Sequence, residues 1–338
     1  MVDQMNEGVV IGSWTARDTD VEIVDAAIRH LRAGHERGAS RTAVWTVIAV
    51  IDDDETQVGP VVEVLRELAV GVAVYPLVIS ALADEPPGID ARVTLRAVER
   101  SEGDTDCIED VFVRVRGAAT QHLDAVVLPF TMPGLPVAVW LPGRLPQKDE
   151  PLPSKADLVL VETARPGSPP LVDVRATSRL FPLSDLSWHQ LQSWRQLLSS
   201  LFVGREFSQF LDDVQRIDVE GEDGFRLLMA GWLVGRLRVR PDVCFLAGLE
   251  TPGASVQIRA RQGATAASFL AAQGSEGSRV DAYAAIDDGP AYQRTVLMPT
   301  YSVARLIERA LGEPARDTVW EEAVVSAVEL AERHPGTG

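Results

Sequence analysis

The chain has 338 residues, 46% hydrophobic and 24% charged, with a formal net charge of −17 at pH 7. That length predicts two globular domains, each large enough to bury a core. The acidic surplus, the scattered arginines and the presence of only two lysines, Lys148 and Lys155, exclude nucleic acid and anionic membrane as primary partners, because both need clustered basic side chains.

Residues 1–18 hold Trp14 but no periodicity, which predicts an arm or a short first strand. No basic n-region followed by an apolar stretch marks a secretion signal. Asp18-Thr19-Asp20 is a capping sequence for a helix to about Arg37, with Val21, Val24, Ile28 and Leu31 as its apolar stripe and Gly38 as its stop. Arg41 to Ile51 is β-branched and apolar, a central strand. Asp52-Asp53-Asp54-Glu55 follows, then a helix through Val61, Val64, Leu65 and Leu68 with Pro60 in its first turn. Pro76 to Leu82 reads as a strand and Pro86-Pro87-Gly88 as a turn. Ala91 to Val98 and Ile108 to Val115 alternate apolar and polar, as half-exposed strands do, with an acidic loop between them.

Ala118 to Gly143 is the most apolar segment. Its first half predicts a buried helix, with Leu123, Val126, Val127 and Phe130 at helical spacing. Met132-Pro133-Gly134 stops that helix, and Val137 to Leu141 then predicts a strand apolar on both faces, buried mid-sheet. The segment is unsuited to crossing a membrane: Pro129, Pro133 and Pro136 interrupt it, and Asp124 would lie in lipid. Residues 142–156 read as a mobile surface loop, Asp157 to Glu162 as a strand, and residues 164–170 as a domain boundary.

In the second half, Leu183-Ser184-Asp185-Leu186-Ser187-Trp188 leads into a helix to about Phe202, for which Ser184, Asp185 or Ser187 is the candidate cap. Its apolar residues cover more than one face, so it is buried widely or covered by a partner. Gln215 to Glu220 is a strand and Asp223 to Arg238 a helix. Val256 to Ala260, Thr265 to Ala272, Val280 to Ile286 and Thr295 to Pro299 form an antiparallel set, closed by helices at Ser302 to Leu311 and Thr318 to His334.

Recognisable catalytic patterns are missing from the sequence. It carries no glycine-rich dinucleotide fingerprint, phosphate loop or nucleophile elbow. His30, His35, His122, His189 and His334 form no pair at ligand spacing. Asp52 to Glu55 follows a strand, where α/β sheets place ligands, and clustered carboxylates could hold Mg²⁺. The simpler reading is that one aspartate caps the next helix and the others favour its positive end. Cys107 and Cys244 lack a Cys-x-x-Cys motif and read as structural, in a reduced, cytoplasmic setting. Gly231-Trp232-Leu233-Val234-Gly235 reads as close packing in water, since no apolar 20-residue stretch surrounds it.

Trp140, Trp188, Trp194 and Trp232 carry the largest apolar area. Most tryptophans in such patterns are core, yet aromatic residues also anchor interfaces. They are candidate partner-binding residues, together with Arg195. With no reaction centre legible, a protein that binds another protein is the favoured class.

Three blocks resemble the glucose-6-phosphate dehydrogenase assembly proteins of the OpcA type: Leu123 to Gly143, Leu186-Ser-Trp-His-Gln-Leu-Gln-Ser-Trp-Arg-Gln-Leu-Leu198, and Leu227-Leu-Met-Ala-Gly-Trp-Leu-Val-Gly-Arg-Leu237. The tail from Val303 is similar as well. Leu141 departs from the family's second tryptophan, and Tyr75-Pro76-Leu77-Val78 replaces a His-Pro-Ser-Arg-like segment. The resemblance implies no catalysis and no cofactor. It implies binding to the dehydrogenase of the oxidative pentose phosphate pathway, promoting its active oligomer or raising its substrate affinity. The expected fold is α/β in two domains: residues 1–168 as a three-layer-like mixed sheet with helices, and residues 169–338 as an α+β domain with antiparallel strands and helices. The alternative is a small-molecule phosphate or sugar enzyme with a metal at Asp52 to Glu55. A third reading, a metabolite sensor, requires a polar pocket near residues 129–143.

Overall fold

The computed structural model describes residues 8–34, 43–52, 55–99, 105–131, 134–165, 167–248, 253–274, 277–287, 289, 292–313 and 316–333. The chain forms two compact units that interleave in sequence. The first comprises Met1–Val161, Leu180–Ser184 and Ser302–Ala315; the second comprises Glu162–Arg179, Asp185–Tyr301 and Arg316–Gly338. Where the sequence reading draws one cut at 168/169, the contacts divide the chain at several points.

The first unit opens with strand β1 (Val9–Ala16) and helix α1 (Val21–Ala33). Asp20 caps α1, its carboxylate accepting from the Ile23 amide at 2.8 Å, and Val24 and Ile28 are buried. The expected stop at Gly38 lies outside the described residues; α1 ends at Gly34. Strand β2 (Trp45–Asp52) leads to helix α2 (Glu55–Gly71), then β3 (Val74–Leu82), β4 (Gly88–Glu99) and β5 (Thr105–Arg116). Pro60 falls at the sixth residue of α2 rather than in its first turn, because the helix starts within the acidic run. Lacking an N–H, Pro60 forgoes one intrahelical hydrogen bond at that position.

The predicted helix in the apolar segment is broken. Residues 117–122 and 128–130 are 3-10 turns flanking the short helix α3 (Leu123–Val127). Pro129 lacks the N–H an α-helix would use there, yet Leu123, Val126, Val127 and Phe130 are buried as their spacing predicts. Strand β6 (Val137–Trp140) follows, then helix α4 (Pro151–Ser154) and strand β7 (Leu158–Val161). Residues 142–156, which composition reads as a mobile surface loop, are loop apart from α4 and are anchored at two points. Leu152 and Pro153 are buried, and Arg144 forms paired hydrogen bonds with Glu150 at 2.9 and 2.8 Å.

Among the described residues the first sheet has the order β1-β4-β5-β3-β2-β6-β7-β8, where β8 is Leu183–Asp185. Strands β5, β3, β2, β6 and β7 run parallel, and β4 and β1 add an antiparallel edge. β2, β6 and β7 are almost wholly buried, as strands apolar on both faces require. Helix α2 packs on β3 and β5, and helix α10 (Val303–Leu311) packs on α2.

The second unit holds helix α5 (Leu171–Thr177) before β8, then α6 (Leu186–Gln190) and α7 (Gln192–Leu201), the single predicted helix being divided at Leu191. Asp185 is the cap, accepting from the Ser187 amide at 3.0 Å. Helix α8 (Arg205–Ser208), strand β9 (Val214–Glu220), helix α9 (Asp223–Leu237) and strand β10 (Cys244–Ala247) follow. Strands β11 (Ser255–Gln262), β12 (Thr265–Gln273), β13 (Arg279–Ile286) and β14 (Tyr292–Leu297) complete the sheet, and helix α11 (Thr318–Arg333) closes the unit. Its order is β10-β9-β11-β12-β13-β14, antiparallel except that β10 runs parallel to β9. Helices α7 and α9 lie on the sheet, and α11 packs on α9.

Candidate docking surface

Strand alternation in the second unit sends one set of side chains inward and the other out. Val256, Ile258, Ala260, Ala267, Phe269, Ala271, Val280, Ala282 and Ala284 are buried beneath the helices. The alternate set is half-buried or exposed, with no layer of described residues over it. The strand register aligns one row across this open face: Phe245, Asp218, Gln257, Leu270, Tyr283 and Gln293. Leu270 and Tyr283 are direct partners at its centre.

The polar groups around that centre are tied to one another. Arg216 donates through Nε to both oxygens of Asp218 at 2.9 Å and lies 3.9 Å over the Phe245 ring. Arg259 donates to Gln257 at 2.8 Å, Ser255 to Glu220 at 2.8 Å, and Thr295 to Asp281 at 2.5 Å. Charges matched on their own surface cost less to cover than lone ones. With strands spaced ~4.8 Å apart and ~3.3 Å per residue, the face spans roughly 25 by 20 Å. Its projected area of roughly 500 Å² supplies more than half of the ~800 Å² per partner of a standard interface.

Of the four candidate tryptophans, three lie inside their units. Trp140, Trp188 and Trp194 are 2%, 2% and 7% exposed, so their area is already spent on the cores of their units. Trp232 and Arg195 are half-buried. Trp188 donates its indole N–H to Asp317 at 2.7 Å, and Arg195 lies 3.5 Å over the Trp188 ring. Asp317 also caps α11 through the Val319 and Trp320 amides, and Trp320 donates to Asp185 at 3.3 Å. Asp185 further accepts from the Thr163 hydroxyl. Burial raises the Asp185 carboxyl above its ordinary pKa, against the hydrogen bonds that favour its charged form. The motif around Trp188 thus fastens α6, α11 and the Thr163 loop together. The Gly231 motif has a packing role: a Cβ there would lie 2.2 Å from the Ala323 carbonyl oxygen, so α9 and α11 meet backbone to backbone at this point.

The metal candidate is only partly visible, since Asp53 and Asp54 lie outside the described residues. Asp52 ends β2 at the point where the sheet order turns from β3 to β6, the usual ligand crevice of such sheets. Its carboxylate pairs with Arg144 Nε at 2.5 Å, and burial raises its pKa against that pairing. A cation would have to displace the guanidinium. Among the described residues no three His, Cys, Asp or Glu side chains converge as a metal site. His189 is buried, whereas His35 and His334 lie outside the described residues. Cys107 is half-buried and Cys244 buried, both as free thiols. No described helix is long and apolar enough to cross a membrane.

Two cavities stand out. One of about 1100 Å³ in the second unit lies beside Gly221, Gly224, Leu227 and Val328; Gly248 and Gly253 form part of its rim, and residues 249–252 between them are outside the described set. The other, of about 340 Å³, lies in the first unit beside α2. Neither is lined by residues 129–143. The open sheet face and the second cavity carried only weak sequence signals: the strand alternation was visible, but which face a helix covers was not.

Two family models match the chain. The one that describes the N-terminal domain of a glucose-6-phosphate dehydrogenase subunit matches residues 75–175. The one that describes the C-terminal domain of the same kind of protein matches residues 181–324, which include the whole open-faced sheet. A protein of Nostoc punctiforme named as OxPP cycle protein OpcA is 23% identical over 181 residues, which is 50% of this chain and 38% of that protein. The chain therefore aligns with well under half of that relative's length. A crystal structure of an oxidoreductase from Sinorhizobium meliloti is 11% identical with a TM-score of 0.38, covering 87% of this chain and 98% of that one.

Proposed function

The chain belongs to the OpcA-type family of glucose-6-phosphate dehydrogenase subunits, and from that premise we propose that it is a non-catalytic protein that promotes assembly and allosteric activation of glucose-6-phosphate dehydrogenase. The dehydrogenase docks on the open face of the second unit's sheet. The observation that carries this reading is a six-stranded face with Leu270 and Tyr283 at its centre, internally matched charges around them, and no layer of described residues over it. A second copy of this chain is the weaker occupant, because two molecules of net charge −17 repel at close approach.

Activation follows if the face binds the active arrangement of the dehydrogenase better than the inactive one. A differential affinity of ~1–3 kcal/mol corresponds to about five- to 150-fold. The chain needs no chemistry of its own for this. The test mixes the purified chain with the dehydrogenase of the same cell and follows co-elution, rate and Michaelis constant. The wild type co-elutes and changes the kinetics. Leu270→Asp and Tyr283→Asp, both on the solvent side, fold normally and weaken the complex by more than about tenfold. If the wild type neither co-elutes nor alters the kinetics at micromolar concentration, the activator role is wrong. If both variants bind as the wild type does, the docking face lies elsewhere.

A further inference from the structure

We propose that the cavity of about 340 Å³ between α2 and the β1-β4-β5-β3 face of the first unit binds a small phosphate-bearing anion. In a chain with a net charge of −17, this cavity gathers three arginines, Arg66, Arg92 and Arg96, around one carboxylate, Asp110. Arg66 and Arg96 both donate through Nε to the same Asp110 oxygen, at 3.3 and 2.9 Å. All three of those side chains are largely buried. Glu63 pairs with Arg66 from the solvent side, which still leaves one positive charge in excess. Two guanidinium groups drawn together on a single carboxylate oxygen, with a third beside them, form an arrangement that an incoming anion stabilises.

The strands explain how this happens. The β4 residues with even numbers, Arg92, Thr94 and Arg96, share the less buried face with Asp110 and Phe112 of β5. Ser13 is the register partner of Thr94 and adds a second hydroxyl. Guanidinium forks and hydroxyl donors suit the several oxygens of a phosphate better than the two of a carboxylate. The cavity also has apolar walls, Leu65, Val78 and Phe112, with the Arg92 guanidinium 5.7 Å over the Phe112 ring. Its volume is that of a small-ligand site, so the phosphate can carry a compact organic group.

Calorimetric titration of the full chain tests this with inorganic phosphate, glucose 6-phosphate and, as the uncharged control, glucose. Saturable binding of either phosphate-bearing probe is expected, with none for glucose. A tighter fit for glucose 6-phosphate identifies the occupant as a phosphate ester; equal affinities identify free phosphate. Arg92→Gln/Arg96→Gln weakens binding at least about tenfold. Arg92→Gln alone, an exposed position, keeps the fold, lowers affinity severalfold and reduces the salt dependence of binding. No saturable heat with either probe at millimolar concentration overturns the proposal. So does binding that Arg92→Gln leaves unchanged in both affinity and salt dependence. Neither result bears on docking of the dehydrogenase, which is measured separately.

Discussion

At the scale of single residues, the buried polar groups of the second unit set its response to pH. Asp185 is enclosed by Thr163, Ser187 and Trp320, and burial raises its folded pKa. An acid whose pKa is raised by folding contributes stability that is full below its unfolded value of about 3.9 and lost as pH climbs through the folded value. Asp185→Asn removes that term. Urea unfolding across pH therefore finds the variant gaining on the wild type as pH rises through that window; the opposite trend would refute the assignment. Cys244 gives a second residue-level test. Burial, with a smaller contribution from Asp218, pushes its thiol up to about 12, leaving almost no thiolate at neutral pH. Iodoacetamide should label Cys107 before Cys244 in the native protein, and both at similar rates in denaturant.

At the scale of elements, the contact of α9 with α11 is the tightest test of packing. Gly231 has no room for a methyl group beside Ala323 and Ala327, whereas a Cβ at Gly235 meets its nearest neighbour, Ser326 Oγ, at an ordinary 3.5 Å. Gly231→Ala should cost ~1–3 kcal/mol in urea unfolding. Gly235→Ala should be neutral or stabilising by up to ~1 kcal/mol, because alanine is the better helix former. Much of this layer was readable from the sequence. Apolar runs such as Val137 to Trp140 announced central strands, and Asp20 and Ser302 announced helix starts. What escaped was set by tertiary context. Helix α5 follows a proline-rich boundary, the four-residue strand β10 is too short to show a period, and Leu191 divides a helix whose apolar residues run on without interruption. Periodicity identified the large apolar side chains, but it could not say whether Trp188 faces a core or a partner. Nor could it bring Arg66 of a helix beside Arg96 of a distant strand.

For the whole molecule, the interleaving of the units decides what a fragment can do. The first unit includes Ser302–Ala315, and α10 within that stretch buries Ala304, Leu306, Ile307, Ala310 and Leu311, packing on α2. A fragment of residues 1–168, the N-terminal domain expected from sequence, lacks both that helix and β8. It should bind the dye ANS and unfold without a sharp transition, whereas the full chain unfolds cooperatively. Cooperative unfolding of the fragment would show that α10 is dispensable. The same excursion governs how the protein is born. A nascent chain leaves the ribosome N-terminus first, at ~5–20 residues per second. The strands and helix α2 of its early part must then wait for the second unit's sheet to be translated before α10 arrives to cover α2, and chaperones that shield greasy surface have that interval in which to act.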